Sequence, residues 1–410
     1  STLFPYTTLF RSWLTEIRFQ GYSVELIDRD EELPAIVDWA ERQDSIAIDT
    51  ESNSLFVYFE KVCLVQLSAG GRNVLLDPVR LETLEPFRDL FASERIEKIF
   101  HAGEYDILGM KRDFGFEFAN VFDTMIAARI LGYKEIGLGS LLGNAFGIAL
   151  NKKYQKANWG KRPLSEKMIE YAAGDTMHLR RLRDLLAGEL SARDLSELAR
   201  EDFLHLCETR CGSNRPNEAT WWRVAKTPNE LTRREAIRLQ ALVSWRELIA
   251  EREDLPTYWI VRNEVLTELA IHRPLTIAEL RKIRGVGETL IRKHAKSLLR
   301  TLRAPLDTAD LVYPEARPLP SPSVLNRRQT LRDWRKGVGL KYDVPSDVIL
   351  PKDVMERIIA AAPETRLELD ALMSDYPWRR DRFSEEIFAE LRRENVDSWA
   401  RTELESEVRI

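Results

Sequence analysis

Three cysteines in 410 residues (Cys63, Cys207 and Cys211) are too few for a disulfide framework and suit a reducing compartment. Cys207 and Cys211 are four apart and can share a helix face. No second ligand pair lies nearby, which argues against a structural zinc. Long apolar runs are also missing, so no membrane span and no membrane partner are expected. The opening stretch, Thr2 to Ser12, lacks the basic start and unbroken apolar segment of a signal peptide. It reads instead like the translation of a sequencing-adapter oligonucleotide, and residues 1–12 are expected to be foreign to the native chain. A cytoplasmic location is the expectation.

What is present is the composition of a soluble globular protein, 44% hydrophobic and 31% charged, long enough for two or three domains. The net charge of −5 hides an asymmetry. Residues 22–212 carry 24 Lys and Arg against 33 Asp and Glu, whereas residues 215–305 carry 18 against 11. An acidic domain joined to a basic one is the pattern of a metal-dependent enzyme that acts on a polyanion.

Within the acidic region, residues 45–48, 61–67 and 73–76 are β-rich apolar runs stopped by Asp, Gly-Gly and Asp-Pro. They predict an antiparallel meander. The pattern then alternates: helix 81–91, strand 98–100, and helices at 104–113, 124–131, 139–146 and 165–190. A meander followed by strand–helix alternation predicts an α/β domain with a mixed sheet. Asp49 and Glu51 share one face at the end of the first strand, where two acids repel unless a cation neutralises them. Asp106 falls on the first turn of a helix, and His101 before it reads as a core or strand-end histidine. Tyr171 and Asp175 lie one turn apart on a helix whose intervening residues, Ala172, Ala173 and Gly174, are small enough for close packing.

The ordered set Asp49-x-Glu51, Asp106 and Tyr171-x-x-x-Asp175 resembles the DEDD superfamily of 3′-to-5′ exonucleases, in its DEDDy branch. Val62-Cys63-Leu64-Val65-Gln66-Leu67, Phe122-Asp123-Thr124 and Trp159-Gly160-Lys161-Arg162-Pro163-Leu164 narrow the likeness to the bacterial ribonuclease D family. Asn158 departs from it, standing where the family usually has Asp. The resemblance implies a ribonuclease H-like mixed-sheet exonuclease domain over 22–212 that holds two divalent metal ions, Mg²⁺ or Mn²⁺. Asp49, Glu51, Asp106 and Asp175 would be the ligands. Hard oxygen donors suit those ions, and a metal pair can stabilise both the attacking and the leaving oxygen of a phosphodiester. Tyr171, with an ordinary pKa near 10, is expected to orient water by hydrogen bonding and not to act as the base. Trp159 can stack on a terminal base and Arg162 can grip a phosphate, or Trp159 can be core and Arg162 a surface cation. Asn53 is a candidate contact to the 3′-terminal sugar.

Beyond residue 228 helical periodicity dominates, and two stretches align without a gap. Leu242, Trp245, Arg246, Pro256 and Ile260 recur as Leu331, Trp334, Arg335, Pro345 and Ile349, each 89 positions on. The copies, 228–304 and 323–400, resemble all-α HRDC modules, separated by a Pro-rich linker at 305–322. In the first copy, Gly285-Val286-Gly287 opens a helix that carries Lys293 and Lys296. Free amides and cations there can bind phosphate. The second copy lacks that glycine turn and is expected to position the assembly. The whole reads as a monomeric 3′-to-5′ exoribonuclease releasing nucleoside 5′-monophosphates from RNA with a free 3′ end, transfer RNA precursors by resemblance. A DNA exonuclease and a non-catalytic RNA-binding protein are the alternatives.

Overall fold

The computed structural model describes residues 15–19, 21–210, 218–227, 230–305, 311 and 319–407, with side chains as far as residue 393. Seven strands build one sheet: β1 (Thr15–Phe19), β2 (Tyr22–Ile27), β3 (Ser45–Ser52), β4 (Val62–Ala69), β5 (Arg72–Leu76), β6 (Glu97–Phe100) and β7 (Val121–Asp123). Their order is β1-β2-β5-β4-β3-β6-β7. The expected meander is β3-β4-β5, paired antiparallel. β6 and β7 extend it in parallel beside β3, and β2 runs parallel to β5 with β1 antiparallel outside it. β1 begins before the expected domain start at residue 22, and the three-residue β7 is too short to show any period.

Eight helices cover the sheet: α1 (Leu33–Glu41), α2 (Arg88–Ala92), α3 (Glu104–Phe114), α4 (Thr124–Ile130), α5 (Leu138–Phe146), α6 (Glu166–Thr176), α7 (Leu179–Ala192) and α8 (Ser196–Glu208). The helix expected over 165–190 is two helices, broken at Met177 and His178. Ala172 and Ala173 of α6 pack with Cys63, Leu64 and Trp159. Leu179, Leu182 and Leu186 of α7 bury instead with Ala47, Ile99 and Phe122. One straight helix cannot face both cores. The helix expected over 81–91 shrinks to a 3-10 turn at Glu85–Phe87 and α2, because Pro86 has no amide to continue the ladder.

The second half repeats itself. α9 (Arg233–Glu253), α10 (Thr257–Ile260), α11 (Asn263–His272), α12 (Ile277–Leu280) and α13 (Glu288–Arg303) form one module. α14 (Pro322–Tyr342), α15 (Ser346–Ile349), α16 (Lys352–Ala361), α17 (Arg366–Leu372) and α18 (Pro377–Glu407) form the other, each starting 89 residues after its counterpart. Left-handed residues recur in register, Asp254 with Asp343 and Arg273 with Ala362. The paired arginines also do the same work: Arg246 donates to the Val261 carbonyl at 3.1 Å and Arg335 to the Leu350 carbonyl at 3.1 Å.

The two modules dock differently. Leu331, Val348, Ile349 and Phe383 of the second share one core with Leu182, Leu198 and Phe203 of the sheet domain. Arg379 of α18 is fully buried there, 2.8 Å from both Glu201 and Asp202 of α8. The first module keeps a core of its own, reached by Tyr58 from the loop after β3. Most of the Pro-rich linker, the expected foreign residues 1–12 and Cys211 lie outside the described residues. Cys63 and Cys207 are buried and unpaired. Among the described residues no helix is long and apolar enough to cross a membrane.

Candidate active site

β3 is apolar and buried up to Ile48, then emerges with Asp49 and Glu51 on one face. Asp49 lies opposite Gln66 of β4 in the sheet register, and the Gln66 amide donates to its Oδ2 at 3.1 Å. Ser165 caps α6 by accepting from the Met168 amide. The small residues Ala172 and Ala173, both buried, let α6 lie close on the sheet. That approach carries Asp175 to the acids of β3. Carboxylate oxygens of Asp49, Glu51 and Asp175 all lie within 4.8 Å of one another.

Asp106 reaches the cluster from the other side of β3. The turn from β6 into α3 holds Ala102 in the left-handed region at φ 60°. At the next residue, Gly103, a Cβ would stand 2.6 Å from the Phe100 side chain. Asp123 secures this turn, its Oδ2 accepting from the Gly103 amide at 2.7 Å, while its Oδ1 caps α4. Asp106 is thereby fixed on the first turn of α3. Its Oδ1 accepts from the Thr50 amide at 3.0 Å and from the Thr50 hydroxyl at 2.5 Å. It therefore stands behind the three clustered acids, turned onto the strand that carries two of them.

The electrostatics follow from four carboxyl groups in one hollow. Enclosure is the largest cause raising every one of them and nearby acids add to it, against hydrogen bonds from Thr50 to Asp106 and from Tyr171 to Asp175. Asp49 is pushed well above its ordinary range, Glu51 to about 9, Asp175 to about 7 and Asp106, whose acidic neighbour is Asp123, to about 6. For Asp49, Glu51 and Asp175 the charges acting on each are those of its acidic neighbours. The Tyr171 hydroxyl hydrogen-bonds Asp175, and burial beside these acids drives its pKa far above the usual phenol value. An oxygen-only donor set with no cation among those influences fits a hard divalent ion.

Two expected nucleic-acid contacts are corrected. Trp159 is 1% exposed and packs 6.0 Å from the Tyr171 ring, so it is core behind the site and offers no face to a base. Arg162 is held at 2.5 Å by each oxygen of Asp77 and donates to the carbonyls of Cys63, Trp159 and Lys161. A guanidinium so engaged stitches β4 and β5 to the segment before α6 and cannot also grip a phosphate. Asn53 closes the loop after β3, its Oδ1 accepting from the Lys61 amide at 2.8 Å, and its Nδ2 abuts Gly160. Gly285, Gly287 and Lys293 line a groove of about 870 Å³ on the first helical module; Lys296 is exposed but not among its lining.

Sequence reasoning assigned no role to Gln66, Thr50 or Asp123, which orient the acids. A signal existed for Gln66, a lone amide in the run Val62–Leu67 of β4.

Known proteins resemble this chain in both sequence and fold. Residues 24–191 match the family model of a 3′-5′ exonuclease domain, and residues 235–302 and 324–391 each match the HRDC domain. The sheet domain is thus a 3′-to-5′ exonuclease of a metal-dependent family, followed by two HRDC domains. The chain is 29% identical over 372 residues to ribonuclease D of Gluconacetobacter diazotrophicus, covering 89% of this chain and 92% of that one. To ribonuclease D of Musicola paradisiaca it is 31% identical over 293 residues, 71% of this chain and 77% of that one. The chain belongs to the ribonuclease D family of 3′-to-5′ exoribonucleases. Its fold is also that of the crystal structure of Escherichia coli RNase D, described as an exoribonuclease involved in structured RNA processing. That likeness has a TM-score of 0.64 at 24% identity, over 90% of this chain and 98% of that one.

Proposed function

We propose that Asp49, Glu51, Asp106 and Asp175 hold two divalent ions, Mg²⁺ or Mn²⁺, at which the chain removes nucleoside 5′-monophosphates from the 3′ end of RNA. The gathering of three carboxylates within 4.8 Å, with no basic partner among their strongest influences, carries this reading. Bound divalent ions supply Lewis acidity at the scissile phosphate and make water a nucleophile near neutral pH. Asp106 would join them by turning its Oδ2, or by releasing Thr50. Tyr171 remains a phenol at any working pH, because burial, and then the acids around it, oppose its ionisation. Were an ion to take up Asp175, the single O–H of Tyr171, otherwise given to that carboxylate, would be free to orient the attacking water by hydrogen bonding. Transfer RNA precursors are the proposed substrates, acted on in the cytoplasm by a monomer.

Degradation of matched end-labelled RNA and DNA, with each ion and with chelator, tests the activity: metal-dependent 3′ shortening of RNA supports it, and an intact RNA end or a preference for DNA overturns it. Tyr171→Phe is expected to lower kcat by about 10²–10³, the usual loss for a removed transition-state donor, with KM little changed. An unchanged kcat would remove Tyr171 from the reaction.

The pKa shifts also set a direction for stability. All four acids hold protons in the folded state that the unfolded chain has already released, so folding loses stability as pH rises. The loss spans the interval from the ordinary carboxylate range through about 6 and 7 to about 9. In chelator, Tm should therefore fall between pH 5 and pH 8. Added Mn²⁺ should raise Tm more at pH 8, where its ligands give up their protons more readily. Equal stabilisation at both pH values would mean the ion binds elsewhere.

A further inference from the structure

Asp175 occupies a poor place for a carboxylate that must stand still. It is the last residue but one of α6, in the turn where helix carbonyls run out of partners and the chain frays. The dipole of a helix is negative at that end and repels an anion, as do Asp49 and Glu51 in front of it. The apolar contact just before it, from Ala172 and Ala173, offers only methyl groups, whose shallow surface resists a small rotation of the helix weakly.

Thr176 follows directly, and its side chain does what the alanines cannot. It is buried, as are Ser68 of β4 and Asn73 of β5. Ser68 gives its one hydroxyl proton to Asn73 Oδ1 at 2.9 Å, so the Thr176 hydroxyl is the donor to Ser68 at 2.7 Å. Asn73 continues the line, its Nδ2 donating to the Ser23 carbonyl of β2 at 3.1 Å. One chain of bonds with a single sense thus joins α6 to β4, β5 and β2, and buried polar chains of this kind favour one arrangement over its near neighbours. Among the described residues no other side-chain hydrogen bond ties α6 to the sheet. Ser68 also stands two residues from Gln66, on the same face of β4, and Gln66 holds Asp49. A single strand therefore keys both sides of the cluster, the acid on β3 through Gln66 and the helix that brings Asp175 through Ser68.

We propose that Thr176 is a positioning residue for the reaction. By donating to Ser68 it fixes the rotation of the last turn of α6, and so holds Asp175 against Asp49 and Glu51. The hydroxyl touches neither ion nor RNA and acts only through its neighbour in the chain. The proposal rests on the two-ion reading and adds to it the bond that sets one ligand in place before any ion arrives.

Two substitutions separate position from packing. Thr176→Val keeps the β-branched shape and loses the proton, whereas Thr176→Ser keeps the proton and loses a methyl group. In the full chain, Thr176→Val should lower kcat about 10²-fold, the cost of misplacing a reacting group by about an ångström, with KM for RNA unchanged. Calorimetric titration with Mn²⁺ in the absence of RNA should show an affinity about tenfold weaker. Thr176→Ser should regain most of both. Ser68→Ala removes the same bond from the strand side and should reproduce the valine variant, carrying the test should that variant not fold. The two together should be no worse than either alone, because they break one bond. The proposal is overturned if loss of the bond leaves kcat and Mn²⁺ affinity as in the parent, if serine is as impaired as valine, or if the loss appears in KM instead. A parent that takes up no Mn²⁺ overturns the two-ion reading and this proposal with it; a parent that does, beside an indifferent valine variant, overturns this proposal alone.

Discussion

Glu51→Gln should lose hydrolysis by about a thousandfold or more while making the metal-free protein harder to unfold. The first effect follows from removing an anionic ligand where the reaction needs charge most, at about 1.4 kcal/mol for each tenfold in rate. The second follows from the same charge seen from the folding side. Without an ion, Glu51 sits against Asp175 and Asp106 in an enclosed hollow that lifts its pKa to about 9. Keeping it ionised, or protonating it at neutral pH, opposes folding, and an isosteric amide removes that opposition. Water at the mouth of the half-buried cluster moderates the gain, so a Tm increase of roughly 3–8 °C in EDTA at pH 8 is expected. Initial rates on end-labelled RNA and calorimetry in chelator read the two effects. A variant as active as its parent, or one that unfolds earlier in EDTA, would show that Glu51 is an ordinary strand-end acid.

Arg379→Ala should be the most damaging single change to stability outside the hydrophobic core. Its guanidinium lies between two domains with no exposure, bonded to Glu201, Asp202 and the Val348 carbonyl. Removing it leaves both acids of α8 enclosed and unmatched, a loss of about 3–5 kcal/mol for a broken buried pair. The expected fall in Tm is on the order of 10 °C. It should bring earlier protease cleavage of the second HRDC domain, whose core is continuous with that of the nuclease. Neutralising all three partners together, as Arg379→Met with Glu201→Gln and Asp202→Asn, should recover much of the loss, because then no charge is stranded. A Tm within a degree of the parent in Arg379→Ala would mean the acids find solvent instead.

Much of this architecture was legible before any coordinates. The 89-residue repeat appears in the helix starts, in the left-handed caps and in the paired arginine bonds. It was readable because a duplicated module keeps its buried positions at fixed spacing, whatever it later docks against. The β3-β4-β5 meander was readable for a related reason: short buried strands between strong turn signals leave few alternatives. The division at Met177 and His178 was not, since no glycine or proline marks it and two different cores impose it.

At the site, residue type and order alone supplied the acids and the tyrosine, because chemistry on a phosphodiester demands hard anionic ligands and only certain side chains provide them. Folding decided how those acids meet: three within a few ångströms, and Asp106 behind them on Thr50. Only packing could tell Trp159 and Arg162 from their look-alikes. An indole or a guanidinium serves a nucleic acid when it faces water and a core when it does not. Local sequence carries the identity of a side chain, and its surroundings come from strands and helices far away along the chain.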